Sequence, residues 1–456
     1  MLGIYSWRRQ PDKDAHRAGL ADPALRPAVA QCLRSYAKMA AISAVLIWTG
    51  LSLFYGAVYQ RTIRAHHITL HVIDLDRGAV GANVTRMVLD AKPADAAPTW
   101  ARKDGLRSLE DAKAWVLRHG WGALVINPGA TSRLYAAVRD GADYDPAQAM
   151  TAIESSGRQV VAEMMFASPA VVATAQRVSR DYSVAFLAEF QRALPQAPPQ
   201  ANYAAIVAPV AFTTVDVAPA GFSLSPIMST FGYLVALFCA MCALLPWKLT
   251  SFAFFARVRY RDLVLMWSTL ILCLALVLSL YQALAFLVFR GPDFDRLALP
   301  YTPASFFKLW FTCAAVVLAF ALWLFALFLL LPPYLLALPT ICTVVTNVIS
   351  TITAIELAPP FYRFLYAMPF FNGSNIALHV ITGAHPDVRR EVAILVAEIA
   401  AMAVFLAFSV WLRRLLVQHG LSDPQGWYRG QTYFRLPAPP PSPTPKPAHA
   451  PAKMGP

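Results

Sequence analysis

The chain has 456 residues, of which 57 % are hydrophobic and only 14 % charged, with a mean hydropathy of +0.47. Soluble chains of this size carry about 25 % charged residues, so the composition excludes a wholly soluble protein. The formal charge of +13 would suit nucleic acid on a soluble surface, but here it clusters beside apolar segments: Arg26, Arg34 and Lys38, then Lys248 with Arg257, Arg259 and Arg261, then Arg413 with Arg414. That is the positive-inside pattern, strengthened by attraction to anionic lipid headgroups, and no nucleic-acid partner is expected.

In chain order, residues 1–37 form a basic polar tail expected in the cytosol. Ala40 to Tyr59 follow as twenty residues without a charge, the length that crosses a hydrocarbon core of about 30 Å. With 39 residues before it, this segment reads as a signal-anchor helix over 38–60, and not as a cleaved signal. It places residues 61–225 outside the cytosol, extracellular or lumenal. None of the six cysteines lies in that block, so an exported domain there does not depend on disulfides.

The 61–225 block reads as an α+β domain. His67 to Gly78 alternates polar and apolar residues and ends in a turn-forming Asp-Arg-Gly, which predicts a strand. Leu106 to His119 is helical in composition. Trp121 to Asn127 is a short apolar run, and Asn127-Pro128 predicts a helix N-cap with proline at the first helical position. Pro146 to Leu194 reads as two or three helices, with Val184, Leu187 and Phe190 at helical spacing. Tyr203 to Val217 then returns as extended chain.

Five further spans are expected over 226–415. Ile227 to Pro246 is the second, and the basic loop 248–261 turns back into the cytosol. The 27 residues between Asp262 and Arg290 carry no charge, and neither do the 47 from Leu309 to Ile355; the latter suffice for two spans broken at Pro332-Pro333. Gly291–Pro303 and 356–388 are expected as external loops, and Val392 to Leu412 as the sixth span. The expected architecture is a polytopic α-helical protein with six transmembrane helices, both termini cytosolic and an extracytoplasmic α+β domain between helices 1 and 2. A Pro-rich cytosolic tail, 416–456, completes it.

Residues able to carry chemistry are few. There is no phosphate-binding glycine loop, no G-x-S-x-G and no H-E-x-x-H, so neither an enzyme nor a cofactor is expected. Cys239 and Cys242 have metal-ligand spacing but sit in an apolar run without partners. Intramembrane polarity is the stronger signal. Glu398 lies about 10 Å inside the sixth span, where a carboxylate costs about 2.5–3.5 kcal/mol. Lys308 and Arg363 lie at comparable depth, Glu356 is a further candidate intramembrane polar residue, and the alternatives are a proton or substrate site and a buried pair holding helices together. In the fifth span Thr343, Thr346, Asn347 and Ser350 share one helical face, which either packs against neighbours or lines a path. Two sequons, at Asn83 and Asn372, predict glycosylation on the external side.

Three passages carry a resemblance: HVIDLDRGAVG (His71 to Gly81), WGALVINPGATSRLYAAV (Trp121 to Val138) and ELAPPFYRFLYAMPFFNGSNIALHVITG (Glu356 to Gly383). With the order of parts, they resemble the fungal nitrosoguanidine-resistance membrane proteins, themselves more distantly similar to type-2 ABC permeases and phage-infection proteins. The resemblance covers about 40–415 and implies a plasma-membrane protein tied to resistance to toxic compounds, with no catalytic residues to carry over. The expected function is tolerance to small toxic compounds, by export or by altering the organisation of membrane lipids. The alternative is a non-transporting organiser whose external domain binds a protein, glycan or lipid.

Overall fold

The computed structural model describes residues 26–91, 97–193, 202–219, 230–255, 258–289, 301–331, 333–385 and 387–419. Most of the basic N-terminal tail, the Pro-rich tail, Pro332 and most of the Gly291–Pro303 loop lie outside them.

The chain enters through a long helix, α1 (Arg26–Val58), and then builds an α/β unit. Its elements are β1 (Thr69–Asp74), α2 (Ala79–Leu89), β2 (Thr99–Arg102), α3 (Leu109–His119), β3 (Gly122–Ile126), α4 (Ala130–Asp140) and β4 (Met150–Glu154). The single turn α5 (Val160–Ala162), the long α6 (Ser168–Ala193), the short α7 (Tyr203–Val207) and β5 (Phe212–Asp216) complete it. The sheet runs β2-β1-β3-β4-β5, with β1 parallel to β2 and β3, β4 antiparallel to β3, and β5 parallel to β4. Val72, Leu124 and Ile126 pack one face against α2, α4 and α6, whereas Ile73, Ala123 and Val125 face α3 on the other.

Local chemistry explains most of these boundaries. Ser108 and Asp111 form a reciprocal capping box that starts α3, a device that satisfies two orphan N–H groups at once. Asp76 reaches across the sheet end to accept from Thr131 N (3.0 Å) and Gly81 N (3.3 Å), so one carboxylate ties the first turns of α2 and α4 together.

Several expectations are corrected. β4 occupies part of the stretch read as helical, because its first four residues are buried; a strand buried on both faces loses the alternation that marks strands in sequence. β2 is a four-residue strand at the sheet edge, too short to leave a pattern. Asn127 does not cap α4. Its amide donates to Gln148 O and Thr151 Oγ1, and Gly129 (φ 72°) is the cap residue, in the left-handed region that glycine enters without steric cost. In α6, Val184 and Leu187 are exposed, and the buried face is Val171, Ala175, Val178 and Tyr182.

After the sheet come α8 (Gly232–Phe255), α9 (Tyr260–Phe289), α10 (Pro303–Leu330), α11 (Pro333–Ile352), α12 (Pro369–Thr382) and α13 (Arg389–Gln418). Among the described residues five helices are long and apolar enough to cross a membrane: α1, α9, α10, α11 and α13. The chain therefore has the make-up of a multi-pass membrane protein. The remaining expected span, Ile227 to Pro246, falls partly outside the described residues; within them Gly232–Leu244 of α8 is a shorter apolar helix. Helix α10 is the hub, packing against α8, α9, α12 and α13, with 78 % of its most apolar stretch buried. Helix α1 stands apart from that hub and packs on α11, with Tyr362 Oη donating to Leu53 O (2.8 Å).

The segment expected as an external loop, 356–388, is the largest correction. Two 3₁₀ turns, Ile355–Leu357 and Pro360–Ala367, lead into α12, whose residues from Asn372 to Leu378 are all buried. Leu357 packs with Ile68, Leu70 and Trp121 at the sheet. The N-terminus of α12 touches α11 at Asn347, in the last third of that helix, and its far end returns to the sheet unit, where His385 meets Arg158. The segment thus dips into the helical bundle and comes back. Pro369 sits at N1, where its missing N–H costs nothing, and Gly383 (φ 76°) ends the helix.

Candidate functional site

Helices α10, α11 and α13 enclose a cleft of about 290 Å³, roofed by the N-terminus of α12. Ala319, Phe320 and Trp323 come from α10, and Cys342, Thr343, Thr346 and Asn347 from α11. Met368 and Pro369 come from the start of α12, and Glu398 and Met402 from α13. Glu398 is the only charged side chain in this lining, and Oε2 has no hydrogen-bond partner among the described residues. By helical rise it lies about 14 Å along α13 from the end nearest the sheet.

The polar face of α11 is held in place by its own backbone. Thr343 Oγ1 donates to Pro339 O (2.7 Å), Thr346 Oγ1 to Cys342 O (2.8 Å) and Asn347 Nδ2 to Thr343 O (2.9 Å). Each hydroxyl thereby spends its proton and keeps lone pairs free to accept. Trp323 Nε1 donates to Thr343 Oγ1 (3.2 Å), so the indole of α10 is tied to the polar face of α11 within the cleft lining. Asn347 Oδ1 accepts from Phe370 N (3.1 Å). Met368, the N-cap residue of α12, makes no side-chain cap bond, so the cap comes from another helix.

Of the residues singled out from sequence, the structure brings Glu398, Thr343, Thr346 and Asn347 to this one cleft. Ser350 lies one turn further along α11, buried, with Oγ donating to Asn347 O (2.7 Å). Lys308, Glu356 and Arg363 are exposed and line none of it. Lys308 sits near the start of α10, and Glu356 and Arg363 lie in the two 3₁₀ turns. Asn83 lies within α2 with Oδ1 accepting from Arg86, and its sequon partner Thr85 is buried. Asn372 is 0 % exposed and donates to Tyr366 O and Met368 O; a glycan on Nδ2 would remove one of the two donated hydrogens and would have to be accommodated in a buried site.

Sequence reasoning missed the lining from α10 and α12. Trp323 is one apolar residue in a long apolar run and carries no separate signal. Pro369, a proline after a string of aromatics, is the one mark that a helix begins there.

A second cluster joins the sheet unit to the bundle. Gln159 Nε2 donates to Thr351 O (3.2 Å) and Ile352 O (3.1 Å), the last carbonyls of α11, while its Oε1 accepts from Ala162 N and caps α5. Arg158 lies over the Trp121 ring (5.2 Å) and donates to Gly120 O (3.3 Å). His385 Nε2 donates to Arg158 O (2.9 Å), and burial pulls its pKa down to about 4. Glu163, 1 % exposed, accepts from Ser155 N (3.1 Å). Burial, only partly opposed by that bond, pushes its pKa up to about 8, and it opens a five-residue π-helical turn, Glu163–Ala167.

On the sheet unit itself, a polar cleft of about 340 Å³ lies beyond the ends of β1 and β2, with Asp74, Arg77, Arg102, Lys103 and Asp104 around it. Arg102 is paired with Asp104 (2.8 Å). No group of three or more His, Cys, Asp or Glu able to hold a metal occurs among the described residues.

Residues 39–404 match the model of a family described as a protein of unknown function, DUF3533. No curated protein and no solved structure matches the chain.

Proposed function

The chain belongs to the DUF3533 family, and on that premise we propose that it is a six-span plasma-membrane protein conferring tolerance to small toxic compounds. In this reading the cleft between α10, α11 and α13 takes such compounds from the bilayer, and Glu398 is the group that loads and releases them. The sheet unit lies outside the cytosol and both termini inside. The resemblance of the passages around His71, Trp121 and Glu356 to fungal nitrosoguanidine-resistance proteins supports the choice of compound class. A link to type-2 ABC permeases is the more distant part of the same proposal.

One observation carries it: a lone carboxyl group faces the Thr343–Asn347 stripe across an otherwise apolar cleft, with no ion pair among the described residues. Such a group in a span has to be neutralised by a proton or a cation, and intramembrane ionisable residues of this kind mark pathways. The test is accumulation of a labelled nitrosoguanidine-type compound in cells with wild-type protein and with Glu398→Gln, before and after collapse of the proton gradient. Lower accumulation that depends on both the gradient and Glu398 supports export. Resistance with unchanged accumulation moves the role to lipid organisation.

A second reading, a non-transporting organiser, is favoured by the polar cleft around Arg77, Arg102 and Lys103, which suits an acidic protein, glycan or lipid partner. It expects Arg77→Glu with Lys103→Glu to abolish tolerance while Glu398→Gln leaves it intact.

A further inference from the structure

A smaller cavity, about 70 Å³, lies between the sheet unit and the bundle, directly above the main cleft along α11. Ser350 and Thr351 of α11, Ser374 and Asn375 of α12, Thr230, and Arg158 from the sheet unit line it. Ser374 is 5 % exposed and its Oγ has no partner among the described residues. A buried hydroxyl left unmatched costs stability unless water completes it; Val160, Val161, Ile352, Phe371 and Leu378 make much of the wall apolar, but beside Ser374 and Asn375 the space has room for water.

The two cavities share one wall. Thr343, Thr346 and Asn347 face the lower one and Ser350 and Thr351 the upper, on consecutive turns of α11. Between them Asn347 bridges to α12 through Phe370 N, and Met368 Sδ lies 3.6 Å from its Nδ2. The hydroxyls of Thr346, Ser350 and Thr351 all donate back to carbonyls of α11, so each presents an acceptor to the seam. Glu398 Oε2 at one end and Ser374 Oγ at the other each lack a hydrogen-bond partner among the described residues.

We propose that the α11–α12 seam is a proton route, running from the Ser350–Ser374–Asn375 cavity beneath the sheet unit, past Asn347, to Glu398. The step moves a proton from a hydronium ion in the upper cavity to one carboxylate oxygen of Glu398: one O–H bond of the hydronium breaks, leaving water, and one O–H bond forms on the carboxyl group. It rests on Glu398 being the loading group, and it names the side of the protein from which that group is protonated. Asn347 is a positioning residue, holding the N-terminus of α12 against the seam.

The test uses the full chain in lipid nanodiscs and infrared spectroscopy of the carboxylic acid stretch, with the Glu398 band identified by its loss in Glu398→Gln. On transfer to deuterated buffer, the rate at which that band shifts measures access to the proton. Ser374→Val with Asn375→Leu slows the shift by about tenfold, the rate cost of one lost hydrogen bond in the relay. The milder Ser374→Ala and Ser350→Ala each slow it less and guard against misfolding, and retention of the wild-type melting temperature confirms that they fold. An unchanged rate in all three variants overturns the route, and so does a spectrum with no Glu398 acid band at any pH. Because no toxic compound is present, the route can fail while export stands, and export can fail while the route stands.

Discussion

Asn347 accepts the backbone N–H of Phe370 at 3.1 Å, so an amide in the last third of α11 caps the first turn of α12. The same side chain donates to Thr343 O within its own helix. One residue therefore fixes where the dipping segment 360–382 stops and where the main cleft is roofed. A helix N-terminus buried in a bundle needs such a partner, because water does not reach its orphan N–H groups.

Asn347→Leu is expected to lower stability by about 1–3 kcal/mol, the cost of a lost cap and an unpaired buried N–H. Asn347→Asp keeps an acceptor in place and is expected to lose less if its carboxyl stays protonated. Thermal unfolding in detergent micelles, followed by tryptophan fluorescence, separates the two. Equal losses would mean that packing volume, and not the cap, is what Asn347 supplies.

Gly373 lies where α12 crosses α10, and an added Cβ would come within 2.3 Å of Val316 Cγ2 and 3.1 Å of Tyr233 Oη. Gly373→Ala is expected to cost about 1–3 kcal/mol through overpacking. Gly105, whose Cβ would meet nothing within 4 Å, is no clean control because its φ of 90° is itself restrictive. Val316→Ala in the Gly373→Ala background is the better one, since it opens the space again. Recovery of part of the lost melting temperature is the expected result.

The junction between sheet unit and bundle should respond to pH from both sides. Glu163 has a pKa raised to about 8 in the fold, so between pH 4.5 and 8 the unfolded chain is ionised there and the folded chain is not. Its stabilisation is present in acid and is lost as pH rises through 8. His385, lowered to about 4, behaves oppositely, and its contribution is lost as pH falls from 6.5 through 4. The two slopes oppose each other between about pH 4.5 and 6.5, so melting temperature is expected to hold a broad maximum there and to fall on either side. Glu163→Gln removes the alkaline fall, and a neutral replacement of His385 flattens the acid fall.

Gln159→Ala removes the amide that serves Thr351 O, Ile352 O and Ala162 N together. A loss of about 1–2 kcal/mol is expected, the usual range for a cap with its partners left unmatched. Faster hydrogen exchange at the amide of Ala162 is the local readout, and unchanged protection there would show that the clamp is not what orders α5.

How much of this was legible beforehand follows from what each residue needs. The long apolar helices, β1 and β3 follow from local pattern, and so does the polar stripe of α11, because period and composition are local properties. Glu398 stood out for the same reason, as a charge inside an apolar run. β4 was hidden by burial on both faces. The dip of 360–382 was hidden because its aromatics and prolines resemble a loop, and its burial depends on α10 and α11 closing around it. Asn372 looked like a glycan acceptor until its amide was seen facing Tyr366 O and Met368 O. Lys308 and Arg363 looked like partners for Glu398 only because depth along a helix says nothing about which face a side chain occupies.

The central claim is that the α10–α11–α13 cleft holds the compound at Glu398, and Cys342 offers a direct reporter because it lines the same cleft. In a variant retaining only that cysteine, the rate of alkylation by a lipid-soluble maleimide would be measured in nanodiscs with increasing concentrations of a nitrosoguanidine-type compound. Concentration-dependent protection that disappears in Glu398→Gln is the predicted result. An alkylation rate that the compound does not change, in protein that still confers tolerance in cells, would contradict it.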